Sequence, residues 1–365
     1  MGKITQLQIY MLFSLYLFTT ILGFRIGSIV KIASYSTWLC ILIGGFLGWA
    51  LAYVSYRLAI KRPAEHFVLY GRHIVGKWLH YPIVLAMALF FVFTAAVLLR
   101  ELQDFLIQIY LLTTPSWAVS ALFAFCVACA VRSGIGVIFR SAQGVFFMSI
   151  AGIIIVPLFV HNEVDLNMAV ALWNHFNAPS LWDGSLFVAS LYGETAFILF
   201  LFPYFARQRK TMHSLAAAVL TSVIIILSNF IPALLIFGPD LLGNLTYPEL
   251  ELIRYIRLGA FLENLDPLII VLWLVSLFVK ISLFLFLAVN TLAQTFSLTD
   301  HKPFTLSMTA LMVGFSLYMA ETTMDIAQLG KKGMIAFLLI VEMIPLFYLA
   351  VDLIRSPRHR NPHQT

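Results

Sequence analysis

The chain has 365 residues, of which 61% are hydrophobic and only 11% charged, with a mean hydropathy of +0.93 and 32 Phe, 14 Tyr and 7 Trp. A soluble domain carries roughly 25% charged residues and buries at most about three-quarters of its surface, so a large soluble globule, a disordered chain and a disulfide scaffold are all excluded. A polytopic membrane protein remains, and its net charge of +6 belongs to basic cytoplasmic flanks facing anionic lipid, not to a nucleic-acid surface.

A transmembrane helix needs about 20 mainly apolar residues. Windows of that kind, bounded by charges, turns and prolines, fall at about 6–33, 36–58, 80–109, 116–131, 142–160, 185–206, 212–237, 266–290, 304–320 and 333–353. The first is too long for a signal-peptide core and has no small-residue cleavage site, so it is expected to be a helix. The expectation is an all-α polytopic protein of ten spans forming one transmembrane domain over 1–365, with 354–365 a basic cytoplasmic tail. Ten spans place both termini on one side. With that side cytoplasmic, 15 of the 23 Lys and Arg lie inside and 5 outside (Lys31, Arg254, Arg257, Lys331 and Lys332), the other three falling within spans. That bias satisfies the positive-inside rule.

Between the spans, 161–184 holds His161, Glu163, Asp165, His175 and Asp183 and no Lys or Arg, as an external loop should. The segment 238–265 opens with Gly238-Pro239-Asp240 and continues from Tyr247 to Arg257 with charges between apolar residues, predicting an external amphipathic helix lying at the interface. It also carries the sequon Asn244-Leu245-Thr246, a weak signal. Cys126 and Cys129 form a CxxC inside an apolar run, where cysteine behaves as a small hydrophobe. His66, His73 and His80 recur every seven residues between basic side chains, predicting a solvated face of one helix, not a metal site. No short-period repeat, nucleophile–base pair, metal cluster or phosphate loop is present, so neither enzyme nor metalloprotein is expected.

A charge near mid-bilayer costs roughly 2.5–3.5 kcal/mol on insertion scales. Arg25, Arg100, Glu101, Glu194, Lys280 and Glu342 fall within or near spans, a total on the order of 15–20 kcal/mol if nothing offset it. Arg100, Glu101 and Asp104 are expected to reach external water from the end of span 3, and Glu342 to be a structural hydrogen-bond partner. Lys280 lies deep in the apolar run Leu268 to Ala288, and Glu194 half-way through span 6. A direct or water-bridged Lys280–Glu194 pair beside a cavity is expected.

Glycine and proline add a second signal. Span 1 contains Gly23-Phe24-Arg25-Ile26-Gly27, and span 6 contains Gly193-Glu194-Thr195 with Pro203 beyond. Glycine weakens a helix and proline removes one of its hydrogen bonds. Two halves of five spans cross the membrane in opposite senses, and interruptions at corresponding positions of inverted halves point to a midplane binding site. The alternative is a small-residue packing face at Gly23 and Gly27.

These residues resemble the spore germination permeases, the B subunits of GerA-type nutrient germinant receptors of endospore-forming bacteria. The resemblance is carried by Phe261 to Ser282 continuing to Asn290–Leu298, by Leu99-Arg100-Glu101-Leu102 with Thr114-Pro115, by Gly193-Glu194 with Pro203, and by Gly76-Lys77-Trp78-Leu79. The chain departs from it at Asn264, where the family often has Arg, and at Phe24-Arg25-Ile26-Gly27, where a Leu-Pro pair is common. The resemblance implies a LeuT-like fold of the amino acid–polyamine–organocation superfamily, with inverted repeats at about 6–160 and 185–353 and discontinuous helices 1 and 6. It implies a receptor with an A subunit and a lipoprotein C subunit in the spore inner membrane, both termini of this chain on the core side, and no cofactor.

By position, the same resemblance implies a nutrient pocket for an amino acid, sugar or nucleoside. Its residues would be Gly23, Phe24, Arg25, Ile26 and Gly27 in span 1, Phe93, Thr94 and Val97 in span 3, Gly193, Glu194, Thr195 and Phe197 in span 6, and Lys280 and Phe284 in span 8. Transporters of this fold hold sodium between spans 1 and 8, where the Lys280 ammonium is expected to take the ion's place. The rival expectation is a proton-coupled amino-acid transporter using Glu194 or Lys280.

Overall fold

The computed structural model describes residues 2–164, 166–255, 266–298, 300–319 and 332–355. Among them, helices account for the whole regular structure apart from one isolated bridge between Ile4 and Phe205. The first helix, α1 (Gln6–Thr20), starts in a capping box: the Thr5 hydroxyl accepts from the Gln8 amide, and the Gln8 side chain accepts from the Thr5 amide. Past Thr20 the chain makes a π turn, Ile21–Arg25, and resumes as α2 (Ile26–Ala33). The interruption expected at Gly23 is therefore present but does not unwind. With no proline after Gly23 every amide can still donate, and the Ile26 amide bonds the Ile21 carbonyl five residues back, so the ladder shifts register.

A short turn leads to α3 (Thr37–Ala59), followed by α4 (Phe67–Val75) and α5 (Lys77–Ile109). Gly76 joins the last two at φ 90°, a conformation open to glycine. That corner corrects the histidine expectation, because the three residues do not share one helix. His66 precedes α4 and packs on Tyr204, where burial lowers its proton affinity. His80 is fully buried in the first turn of α5, with Nδ1 2.9 Å from the Tyr348 hydroxyl and Nε2 2.8 Å from the Val68 carbonyl.

Helices α6 (Ser116–Ser133) and α7 (Ile135–Val160) meet at Gly134, and a short α8 (Ala171–Asn174) follows. The sixth predicted window is α9 (Ala178–Tyr192), a 3-10 turn at Gly193–Phe197 and α10 (Ile198–Leu201), closing with a second 3-10 turn at Phe202–Tyr204 around Pro203. This is the most enclosed stretch: 94% of its apolar window is buried, against 33% for Ile135–Val160. The centre of the fold is thus its weakest helix, held by neighbours and not by its own ladder.

The remaining helices are α11 (Thr211–Asn244, bent at Gly238), α12 (Pro248–Tyr255), α13 (Asp266–Thr295), α14 (Lys302–Tyr318), α15 (Lys332–Glu342) and α16 (Ile344–Arg355). Pro345, unable to donate, follows the break between the last two. The most extensive pairings are α5 with α13, α3 with α9 and α1 with α11. The predicted interfacial helix is observed as α12, but Leu250, Leu252 and Ile253 are buried against the bundle, so it caps the fold and does not lie free on lipid.

Eight helical stretches among the described residues are long and apolar enough to cross a membrane. One of them, Gln6–Ala59, is 54 residues long, and Lys302–Tyr318, at 17 residues, is not among the eight. Asp165, Arg257, Asn264, Lys331, Arg358 and Arg360, with the first part of the Phe261–Ser282 stretch and the tail beyond Arg355, lie outside the described residues.

Candidate functional site

Four buried charges, Glu101, Glu194, Lys280 and Glu342, and the half-buried Arg25 gather where α1, the Gly193–Phe197 turn, α5, α13 and α15 approach one another. Lys280 stands fourteen residues into α13 and is 2% exposed. Its Nζ lies 2.6 Å from Glu194 Oε2, donates to the Thr20 hydroxyl at 3.0 Å, and sits 4.8 Å from the centre of the Tyr16 ring and 5.8 Å from that of Phe284. Thr20 gives its own proton to the Tyr16 carbonyl, which leaves its lone pairs for the ammonium. A buried ion pair offsets its desolvation only with close geometry and further partners; here a carboxylate, a hydroxyl and two ring faces supply them. The contact ties α13 to both interrupted elements at once.

Glu342 ends α15, is 1% exposed, and neither carboxylate oxygen has a hydrogen-bond partner. It lies against Gly193, where an added Cβ would overlap the carboxyl group. Glycine is needed at 193 so that α15 can approach the turn this closely. The expected role of Glu342 as a hydrogen-bond partner is not what the structure places there. It is an unpaired carboxyl within electrostatic reach of Glu194 and Lys280.

The end of α5 also departs from expectation. Arg100, Glu101 and Asp104 do not reach water; all three are buried. Arg25 pairs with Glu101, Arg100 Nε donates to Asp104 at 2.9 Å, and Arg100 NH1 donates to the Ser316 carbonyl at 3.2 Å. The reason is packing and not length, since α5 ends at Ile109 as expected: Arg25 and the end of α14 close over this part of the helix and supply its partners.

Beside this cluster is a cavity with about 50 Å³ of free space. Its wall combines Thr20 and Arg25, Thr94 and Val97 of α5, Glu194, and apolar side chains of α9 and α15. The structure thus brings Arg25, Thr94, Val97 and Glu194 together, with Lys280 directly behind Glu194. It distributes the other predicted residues elsewhere. Gly23 and Phe24 face the Trp273 indole. Ile26 is core, and Gly27 packs near the Leu242 and Leu245 carbonyls. Phe93 lines a separate groove with Phe90, Phe315 and Phe337. Thr195 donates to the Tyr192 carbonyl at 2.7 Å, and Phe197 and Phe284 join an aromatic stack with Phe91. Thr20, Tyr16, Glu101 and Glu342 were not among the predicted site residues. The two carboxylates carried a signal, as charges inside apolar windows, whereas Tyr16 and Thr20 carry none beyond their one-turn spacing.

Comparison with known proteins places this geometry. The family model described as "Spore germination protein" matches residues 3–324. Spore germination protein YndE of Bacillus subtilis (strain 168) is 23% identical over 86% of each chain. Spore germination protein XB of Bacillus anthracis is 26% identical over 63% of this chain and 64% of its own, and spore germination protein KB of B. subtilis is 26% identical over 75% of each. Among solved structures, the nucleobase-cation-symport-1 family transporter Mhp1, closed with bromovinylhydantoin bound, superposes with a TM-score of 0.69 at 12% identity, covering 99% of this chain and 80% of its own. MhsT in complex with L-phenylalanine gives the same TM-score at 14% identity, covering 98% and 90%. The bundle therefore has the LeuT-type transporter fold of these two proteins.

Proposed function

The chain belongs to the spore germination protein family, an integral membrane family of permeases and not of enzymes, and from that premise we propose that it is the nutrient-sensing membrane subunit of a germinant receptor. A small nutrient would bind in the central cavity, shift the balance between two arrangements of the bundle, and pass that shift to an A subunit and a lipoprotein C subunit in the spore inner membrane. This reading takes ten crossings in two inverted halves, with Gln6–Ala59 crossing twice and Lys302–Tyr318 once, and both termini on the core side.

The observation that carries it is a cavity walled by one cation and one anion, each with bonding capacity left. Arg25 has five N–H donors and Glu194 has about four acceptor positions, of which Glu101 and Lys280 occupy only part. That pairing favours a compact zwitterion over a sugar or nucleoside, and a neighbour of the same fold, MhsT, carries L-phenylalanine. Lys280 would act as the fixed cation between α1 and α13, so that the response needs no sodium. A decisive switch requires the nutrient to prefer one arrangement by about 5.5 kcal/mol.

The test is germination of spores lacking this gene, complemented with wild type or with Thr94→Phe, which fills the cavity. Loss of response to amino acids, restored by wild type and not by the variant at equal protein level, is expected. A deletion strain with an unchanged response to every nutrient would refute the proposal. The second reading, a proton-coupled amino-acid transporter, draws on the unpaired Glu342 carboxyl and would be recognised by concentrative uptake into vesicles containing this chain alone.

A further inference from the structure

A second cavity lies outside the central one, between α1, α7, α13 and the capping helix α12. It holds about 60 Å³ of free space, roughly four to six water volumes. Most of its wall is apolar, but two polar atoms lie buried on it without any hydrogen-bond partner: Glu249 Oε1 and Ser149 Oγ. The rest of the wall includes Trp273, Tyr247 and Phe105, with the Phe105 ring centroid 4.5 Å from that of Trp273 and 5.0 Å from that of Tyr247.

A buried carboxylate oxygen left unpaired costs more than its net worth when bonded, and native structures keep few such atoms. The wall also selects its guest. An apolar molecule would leave both polar atoms unpaired, and an anion would meet a carboxylate. A hard metal ion would want six or more oxygens, which this lining does not offer. A cation with an apolar end uses every surface present: a carboxylate, a hydroxyl acceptor and aromatic faces. The surrounding charge agrees. Burial, with Asp104 and Glu101 of α5 behind it, keeps the Tyr247 phenol protonated, and the cations nearest those carboxylates, Arg25 and Arg100, are engaged with them and do not line the cavity. On α12 itself Arg254 is engaged with Glu251 at 3.3 Å, and among the described residues α1, α7 and α13 add no charged side chain to the lining.

We propose that this outer cavity is a binding site for a small organic ammonium ion, with Glu249 as counter-ion, Ser149 as hydrogen-bond acceptor and Trp273, Tyr247 and Phe105 as the aromatic wall. The ion is either a free amine or the amine headgroup of a lipid. The site is separate from the central cavity, so its failure would leave the nutrient reading standing, and the reverse also holds.

The full chain, purified in detergent, is titrated with ethylammonium chloride against sodium chloride of equal ionic strength, following its thermal unfolding. A saturable, ammonium-specific stabilisation is expected. Glu249→Gln should weaken it roughly tenfold or more, Ser149→Ala by a few-fold, and Glu251→Gln on the exposed side of α12 should not change it. Burial pushes the Glu249 carboxyl up to about 8, so the cation must displace a proton, and apparent affinity should rise between pH 6.5 and 8.5 in the wild type. Equal response to both salts, or an unchanged response in Glu249→Gln, overturns the proposal. If that variant does not accumulate, a flat wild-type pH profile overturns it alone. In nanodiscs, loss of the ethylammonium effect on adding phosphatidylethanolamine assigns the site to a lipid headgroup, and its persistence assigns it to a free amine.

Discussion

Replacing Lys280 by Met keeps most of the side chain's volume and removes its charge. What remains is Glu194 with no cation at 2.6 Å, Glu342 still without a hydrogen bond, and Glu101 held by Arg25 alone. Removing one partner of a buried pair leaves an uncompensated charge, at a cost of about 3–5 kcal/mol, with the Thr20 hydroxyl acceptor adding about 1 kcal/mol more. That is a large share of a total stability of roughly 5–15 kcal/mol. The reverse deletion, Glu194→Gln, should be milder, because Lys280 keeps Thr20, two ring faces and the nearby Glu342. Combining the two substitutions removes both charges, so the double variant should recover at least half of the Lys280→Met loss, a coupling of about 2 kcal/mol or more. The assay is the fraction of detergent-solubilised protein that stays monodisperse after heating, compared across the four members of the cycle. Additive losses, or a Lys280→Met variant as stable as wild type, would refute the account of Lys280 as the cation that holds α13 to the interrupted helices.

Three further outcomes follow from single contacts. Gly193→Ala puts a methyl group where the Glu342 carboxyl lies and should cost about 1–3 kcal/mol; Glu342→Ala should relieve it, while Gly144→Ala, with open space around it, should be neutral or stabilising by thermal unfolding. His80→Phe orphans the Tyr348 hydroxyl and the Val68 carbonyl and should lower stability by about 2–4 kcal/mol, with α4 losing protection in hydrogen exchange first. The docking of α12 should loosen as pH rises. Its Glu249 holds a proton up to about pH 8 when docked, against an ordinary value of 4.5 when released. The released state therefore gains stability through that window, by at most about 5 kcal/mol at its upper end. Labelling of a cysteine placed at Leu252 should accelerate from pH 5 to pH 8 and then level off, and Glu249→Gln should remove the dependence.

The elements were legible because their signal is local. A run of apolar residues between charges has one solution in a bilayer, and Gly23 and Gly193 marked the interruptions because glycine weakens any helix it enters. Capping signals were equally direct: Thr5 with Gln8. The errors arose where a residue three or more helices away decides the outcome. His66, His73 and His80 repeat with helical spacing, and only the left-handed Gly76 shows that the spacing spans two helices. Arg100, Glu101 and Asp104 read as an exposed end because their partners, Arg25 and the Ser316 carbonyl, lie 75 or more residues away in the chain.

The predicted site divides along the same line. Arg25, Glu194 and Lys280 could be found from sequence, since a charge in an apolar window must have a partner and these three have few alternatives. The glycines beside them invited a different inference, that a glycine at an interruption opens onto a ligand. Here each glycine is spent on a close approach: the Trp273 indole lies on Gly23, and the Glu342 carboxyl lies on Gly193. Both incoming groups belong to helices near the other end of the chain, so neither interruption could be assigned a tenant from its own residues. Trp273, seated on Gly23, walls the outer cavity, while the central cavity is bounded instead by Thr20, Arg25, Thr94, Glu194 and apolar side chains of α9 and α15, so the two glycines that marked the interruptions do not themselves open onto the central space.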